Sequence, residues 1–159
     1  MNIYGNLEYQ LDLLEQTVAD LDDALYTLRR GELSSIGAHV RHVVECLQIL
    51  GQAREGSVVD YANRKRNKQL EEDRDVVRAE IIRLKHNLLR KGDFLLKISD
   101  DGDMYRSTYH RELLAQHEHI VHHCAIIKIQ LSICSDMEIN PCLGMAKSTL
   151  AYQNSNVSA

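Results

Sequence analysis

A chain of 159 residues is long enough for one domain with a real core and too short for two comfortable ones. Its formal charge of −4 and sequence pI near 6.0 describe an ordinary soluble surface, which removes the electrostatic reason to expect binding to nucleic acid. No apolar stretch approaches the roughly 18 to 20 residues needed to cross a bilayer, and the N-terminus lacks the charged-then-apolar pattern of a signal peptide, so a cytoplasmic protein without membrane contact is expected.

Taken in chain order, Leu7, Leu11, Leu14, Val18, Leu21, Leu25 and Leu28 alternate spacings of four and three, with acidic residues between them. That pattern predicts one long, unbroken amphipathic helix ended by Gly31. Ser34 or Ser35 can cap a second helix running to about Leu50, its stripe formed by Ile36, Val40, Val43, Leu47 and Leu50. Residues 53–67 read as a polar connection in which the basic Arg64, Lys65, Arg66 and Lys68 run into Glu71, Glu72 and Asp73, a solvated loop and helix start. Leu70, Val77, Ile81, Leu84 and Leu88 mark a third helix closing at Lys91-Gly92.

Between the third and fourth helices, residues 94–98 and 104–109 flank Asp100-Asp101-Gly102-Asp103, which predicts a short hairpin or an irregular crossover. The fourth helix spans about Arg111 to Ile133, centred on Leu113, Ile120, Cys124, Ile127 and Leu131. Pro141 prevents its continuation. Residues 142–150 are expected to pack over an end of the helices, and residues 153–159 to form a flexible tail behind a single domain of residues 1–152. Cys46, Cys124, Cys134 and Cys142 have no metal-knuckle spacing and read as reduced thiols. Four long helices with one extended crossover predict an all-α four-helix bundle.

Chemistry enters at His117-Glu118-His119-Ile120-Val121-His122-His123. His119 and His123, four apart, lie about 40° apart on a helix turning ~100° per residue, close enough to share one metal ion. On a helical wheel this pair flanks the apolar face, whereas Glu118 and His122 point outward. A pair of this kind also occurs as two polar side chains at a helix seam, hydrogen-bonded to carboxylates or water. Because Ile120 follows His119, the glutamate of a His-Glu-x-x-His zinc protease is missing, and metalloprotease chemistry is discounted. A catalytic metal takes a third protein ligand, and the second helix offers His39, His42 and Cys46 on one side.

Two stretches, Ser35-Ile36-Gly37-Ala38-His39-Val40-Arg41-His42 and His119-Ile120-Val121-His122-His123, resemble the second-helix and fourth-helix motifs of the DinB-like (DinB/YfiT) superfamily of metal-binding four-helix bundles. The resemblance covers most of the chain and implies an up-down-down-up bundle with His42, His119 and His123 as ligands. The wheel places His39 nearer the apolar centre than His42, so His39 is kept as the reserve ligand. Characterised relatives in the superfamily include metal-dependent thiol S-transferases and an isomerase using low-molecular-weight thiols. The implied cofactor is a divalent ion such as Zn, Ni or Fe, and the implied partner a small electrophilic substrate.

Arg41, Arg64, Arg66 and Tyr61 are candidates for holding an acidic thiol cosubstrate, although such residues more often pack their stems at the surface. Glu45 or Glu118 could orient a ligating histidine, but charged residues on bundle helices are usually solvated and neither is named as catalytic. A second class of function is a non-catalytic metal-binding or structural bundle that forms a homodimer through helix faces, with Cys46 as a fourth ligand closing the site.

Overall fold

Leu7, Leu11, Leu14 and Val18 recur at helical spacing and are all buried, which ties α1 (Ile3–Asp20) to the core along one face. The computed structural model describes residues 3–89 and 91–157. The unbroken first helix expected through Leu28 is instead two: α1 stops at Asp20, and a short α2 (Asp23–Thr27) follows. The cause is a cap that periodicity does not register. Asp22 accepts a hydrogen bond from the Leu25 N–H at 2.7 Å and opens a new helix. Arg74 donates to the Leu21 carbonyl and pairs with Asp23 at 2.6 Å, satisfying backbone groups that the break exposes. As a result Leu28 is 38% exposed and Tyr26 is buried in its place, donating to the Leu70 carbonyl at 2.6 Å.

Helix α3 (Ile36–Gln52) starts at Ser35, whose hydroxyl accepts from Ala38 N–H. The expected third helix is also divided, into α4 (Gln69–Glu72) and α5 (Arg74–Leu88), because Asp73 caps the N–H groups of Asp75 and Val76. Helix α6 (Tyr109–Cys134) starts at Thr108. The four longest of these close a ring in which α1 packs on α5 and α6, and α3 packs on the same two. Across that ring lie Leu47, Val77, Ile81, Leu84, Leu113, Ile120 and Leu131, all buried.

The chain is mostly helical but not exclusively so, since a three-stranded sheet is added. Strands β2 (Leu95–Asp100) and β3 (Asp103–Thr108) form the hairpin suggested by Asp101-Gly102. Both loop residues have positive φ, 47° and 89°, as a two-residue turn of mirror-image type requires. The third strand, β1 (Val58–Val59), lies in the connection read as polar loop and pairs in parallel with Lys97 and Ile98. Its inward residue Val59 is buried in the same core as Leu96 of the hairpin.

After Pro141 the chain returns along α6 rather than capping an end. Leu143 is buried, and Gly144 (φ +68°) lies so close to the α6 backbone that a Cβ would stand 2.3 Å from the Ala125 nitrogen. Helix α7 (Lys147–Val157) follows and takes in part of the expected tail, while residues 158 and 159 lie outside the described residues. Among the described residues no helix is long and apolar enough to cross a membrane.

Gly37 lets the α3 and α4 backbones approach closely. A Cβ there would stand 2.1 Å from the Glu71 carbonyl oxygen and 2.9 Å from a Tyr26 ring carbon. Backbone cannot step aside as a flexible side chain does, so Gly37→Ala is expected to destabilise the protein by about 2–3 kcal/mol or more. The urea midpoint reads this directly, and a change within about 0.5 kcal/mol would mean that α4 moves freely.

Candidate metal centre

Helices α3 and α6 pack face to face and bring four imidazoles together. His39 and His42 come from α3, three residues apart; His119 and His123 come from α6, four apart. Nε2 of His119 is 3.1 Å from Nε2 of His42 and 3.0 Å from Nε2 of His123. Two nitrogens each ~2.0–2.1 Å from one tetrahedral ion are ~3.3 Å apart, so these separations are close to those of a shared ligand shell. His39 joins from outside this group, its Nδ1 3.1 Å from Nδ1 of His123.

Cys46, one turn after His42 on α3, adds sulfur to the constellation. The ligating atoms of His42, Cys46 and His119 all lie within 4.8 Å of one another, close enough to hold a metal ion. The thiol is buried, and burial pushes its pKa up against the opposing charge of Arg64. All four cysteines are free thiols.

A second ring of contacts orients His119. Its Nδ1 lies 3.3 Å from Oε1 of the buried Gln116. An amide oxygen only accepts, so the proton sits on Nδ1 and the lone pair on Nε2, facing the other imidazoles. Tyr61, delivered by the segment after β1, donates to the buried Glu112 carboxylate at 3.1 Å, and Ser107 of β3 donates to its other oxygen at 2.6 Å. The sheet, whose hairpin was expected and whose β1 was not, therefore positions the polar groups next to Gln116.

The wheel assignment of the fourth helix agrees with these positions. Glu118 and His122 are exposed, although the His122 ring still meets that of His123 edge-on at 5.2 Å between centroids, and Glu118 lies 3.4 Å from Nδ1 of the buried His117. Glu45 is buried but orients no histidine: it accepts from the Asn67 N–H at 2.7 Å and lies 3.3 Å from Nε of Arg64 and 3.6 Å from Nε of Arg41. Arg41 also pairs with Glu71, which takes Arg29 at 2.6 Å. Arg41, Arg64 and Tyr61 are thus engaged with the protein's own carboxylates, and Arg66 is exposed. Glu45, Glu71 and Glu112 were the polar residues least legible beforehand, because nothing in a carboxylate's spacing marks it as buried.

Desolvation between the helices lowers the pKa of all four imidazoles. His42 falls to about 4, with burial first and then the Arg64 charge and neighbouring histidines as causes; His123 falls to about 3, by burial and then by His119, His42 and His39. His39 and His119 shift the same way, chiefly through burial. The neutral rings keep their lone pairs available at neutral pH.

For the metal-free chain the sign of the pH dependence follows. Unfolded histidines take up protons below about pH 6.5, whereas folded His42 and His123 stay neutral until about 4 and 3. Their contribution to stability is complete above pH 6.5 and is lost progressively as the pH falls through those folded values. The urea midpoint of metal-free protein is expected to drop between pH 7 and pH 4.5, and the double variant His42→Leu, His123→Leu to show a flatter profile.

No family model matches this chain, and no curated protein or solved structure matches it.

Proposed function

We propose that this chain is a DinB-like bundle of up-down-down-up topology that holds one divalent ion, Zn, Ni or Fe, on His42, His119 and His123. In this reading it is a metal-dependent enzyme of the thiol S-transferase type, or a hydrolase, acting on a small electrophilic substrate with a low-molecular-weight thiol or water. The observation that carries the reading is the approach of the His42 and His123 Nε2 atoms to Nε2 of His119, at 3.1 and 3.0 Å, with the His42 and His123 rings 4.9 Å apart between centroids. Neutral imidazoles leave the ion's charge uncompensated, and a divalent ion so held supplies a field that lowers the pKa of a thiol or water beside it. Gln116 fixes the tautomer of His119, and Arg64 adds positive potential on the His42 side, which favours an anionic nucleophile over a neutral one.

A closed structural site is the second reading, favoured by the reach of Cys46 toward His42 and His119. Four protein ligands would leave no position for substrate, and the protein would then be a metal-stabilised, non-catalytic bundle. Elemental analysis of tag-free protein, followed by Co(II) substitution, separates the two. The open reading expects near-stoichiometric metal and no thiolate-to-cobalt charge-transfer band. A band that disappears in Cys46→Ser would establish the closed one. Protein that neither retains nor takes up Zn, Ni or Fe would overturn both.

A further inference from the structure

Residues 28–34, between α2 and α3, stand opposite the C-terminal half of α6 across a cavity of about 450 Å³. One wall is formed by Leu25, Leu33 and Ile36 and the other by Ile126, Ile129 and Ile133. Within that aliphatic lining the imidazole is His39, and its Nδ1 is the atom that meets His123. The cavity therefore opens to solvent at one end and reaches the histidine cluster at the other.

We propose that this cavity is a binding chamber for a neutral, predominantly apolar small molecule, presented to the histidine cluster past His39. As the route of the electrophilic substrate it rests on the metal-centre reading above. Its volume falls in the ~300–1,000 Å³ range of small-molecule sites, which are lined mainly by apolar groups with a few polar ones. The lining offers no unbalanced charge for an ionic ligand: Arg30 and Glu32 carry opposite signs, and the Gln130 amide is turned to the Ser34 carbonyl at 2.8 Å. A carboxylate-bearing molecule would have to leave water there for an aliphatic wall, and the one cationic side chain in the lining, Arg30, is itself solvent-exposed and offset by Glu32 two residues on. Ile129 and Ile133, 60% and 66% exposed, lie at the mouth, where apolar side chains left in water gain by covering a ligand.

Their exposure makes them safe to change. Full-length protein is titrated with the neutral fluorophore N-phenyl-1-naphthylamine, in wild type and in Ile129→Arg and Ile133→Arg, while NMR follows the His39 ring protons. Saturable one-to-one binding is expected, weakened at least about tenfold in each variant, with the His39 resonances moving on titration. Absent saturable binding, equal affinity in the variants, or unmoved His39 resonances would overturn the chamber. So would a wild-type dimer that Ile129→Arg converts to monomer, since the groove would then be filled by a second copy. Metal content is read on the same samples: intact probe binding without metal counts against the metal centre and leaves the chamber standing, whereas metal without probe binding does the reverse.

Discussion

Replacing His119 with alanine is expected to weaken divalent-metal binding by more than about a hundredfold, a larger loss than any other single change at the centre should produce. His119 is the member through which the others are joined: its Nε2 is within 3.1 Å of both His42 and His123, and its Nδ1 is anchored on Gln116. Without it, only His42 on α3 and His123 on α6 remain of the proposed ligands, and the atom that both of them approach is gone. Leu114→Ala, exposed on the same helix, should leave affinity within about threefold and serves as the control for helix perturbation. Competition titration with a chromogenic chelator measures both. Equal affinities for wild type and His119→Ala would remove the histidine centre as the metal site.

The second large effect concerns stability. Glu45, whose side chain is 1% exposed, sits between Arg41 and Arg64, both of them mostly buried. Neither guanidinium Nε has a well-aligned hydrogen bond, so Glu45 holds them largely through charge. Glu45→Ala would leave Arg64 with the Tyr61 carbonyl but no carboxylate, leave Arg41 to Glu71 alone and free the Asn67 N–H, and removing one partner of a buried ion pair costs about 3–5 kcal/mol. For a chain of this size the corresponding fall in Tm is on the order of 10 °C, measurable by calorimetry. A loss below about 1 kcal/mol would mean that water reaches Arg64. Arg64 would also be released toward His42, so metal affinity should fall with stability in this variant and not in Gly37→Ala.

What could be read from the residues follows the range over which each feature is determined. The Ser35 cap, the Asp101-Gly102 turn and the sides of the fourth helix are decided within a few residues, and all three were legible. Asp22 and Asp73 are also local, yet each lies inside an apolar repeat that continues on both sides, so the repeat concealed the break. β1 could not be found this way, because two valines become a strand only through partners almost forty residues later. The register of His39 and His42 depends on how α3 rotates against α6; in the structure both imidazoles reach the cluster, His42 through His119 and His39 through His123. Burial of Glu45 required knowing where Arg64 would return, and a charged residue on a helix is solvated unless such a partner arrives.

The histidine cluster also bears on the order in which the chain folds. Its members come from two helices only, and the contacts joining them span 77 and 84 residues of sequence. The hairpin of β2 and β3 and the capped turn at Asp22 close over a few residues and are suited to early formation, whereas the α3 to α6 apposition must first close a long loop. Ligands that meet only after that closure are expected to be absent from the rate-limiting state. A cation held there is therefore expected to act on the unfolding limb of the chevron, lengthening the lifetime of the native protein while leaving the refolding rate nearly unchanged.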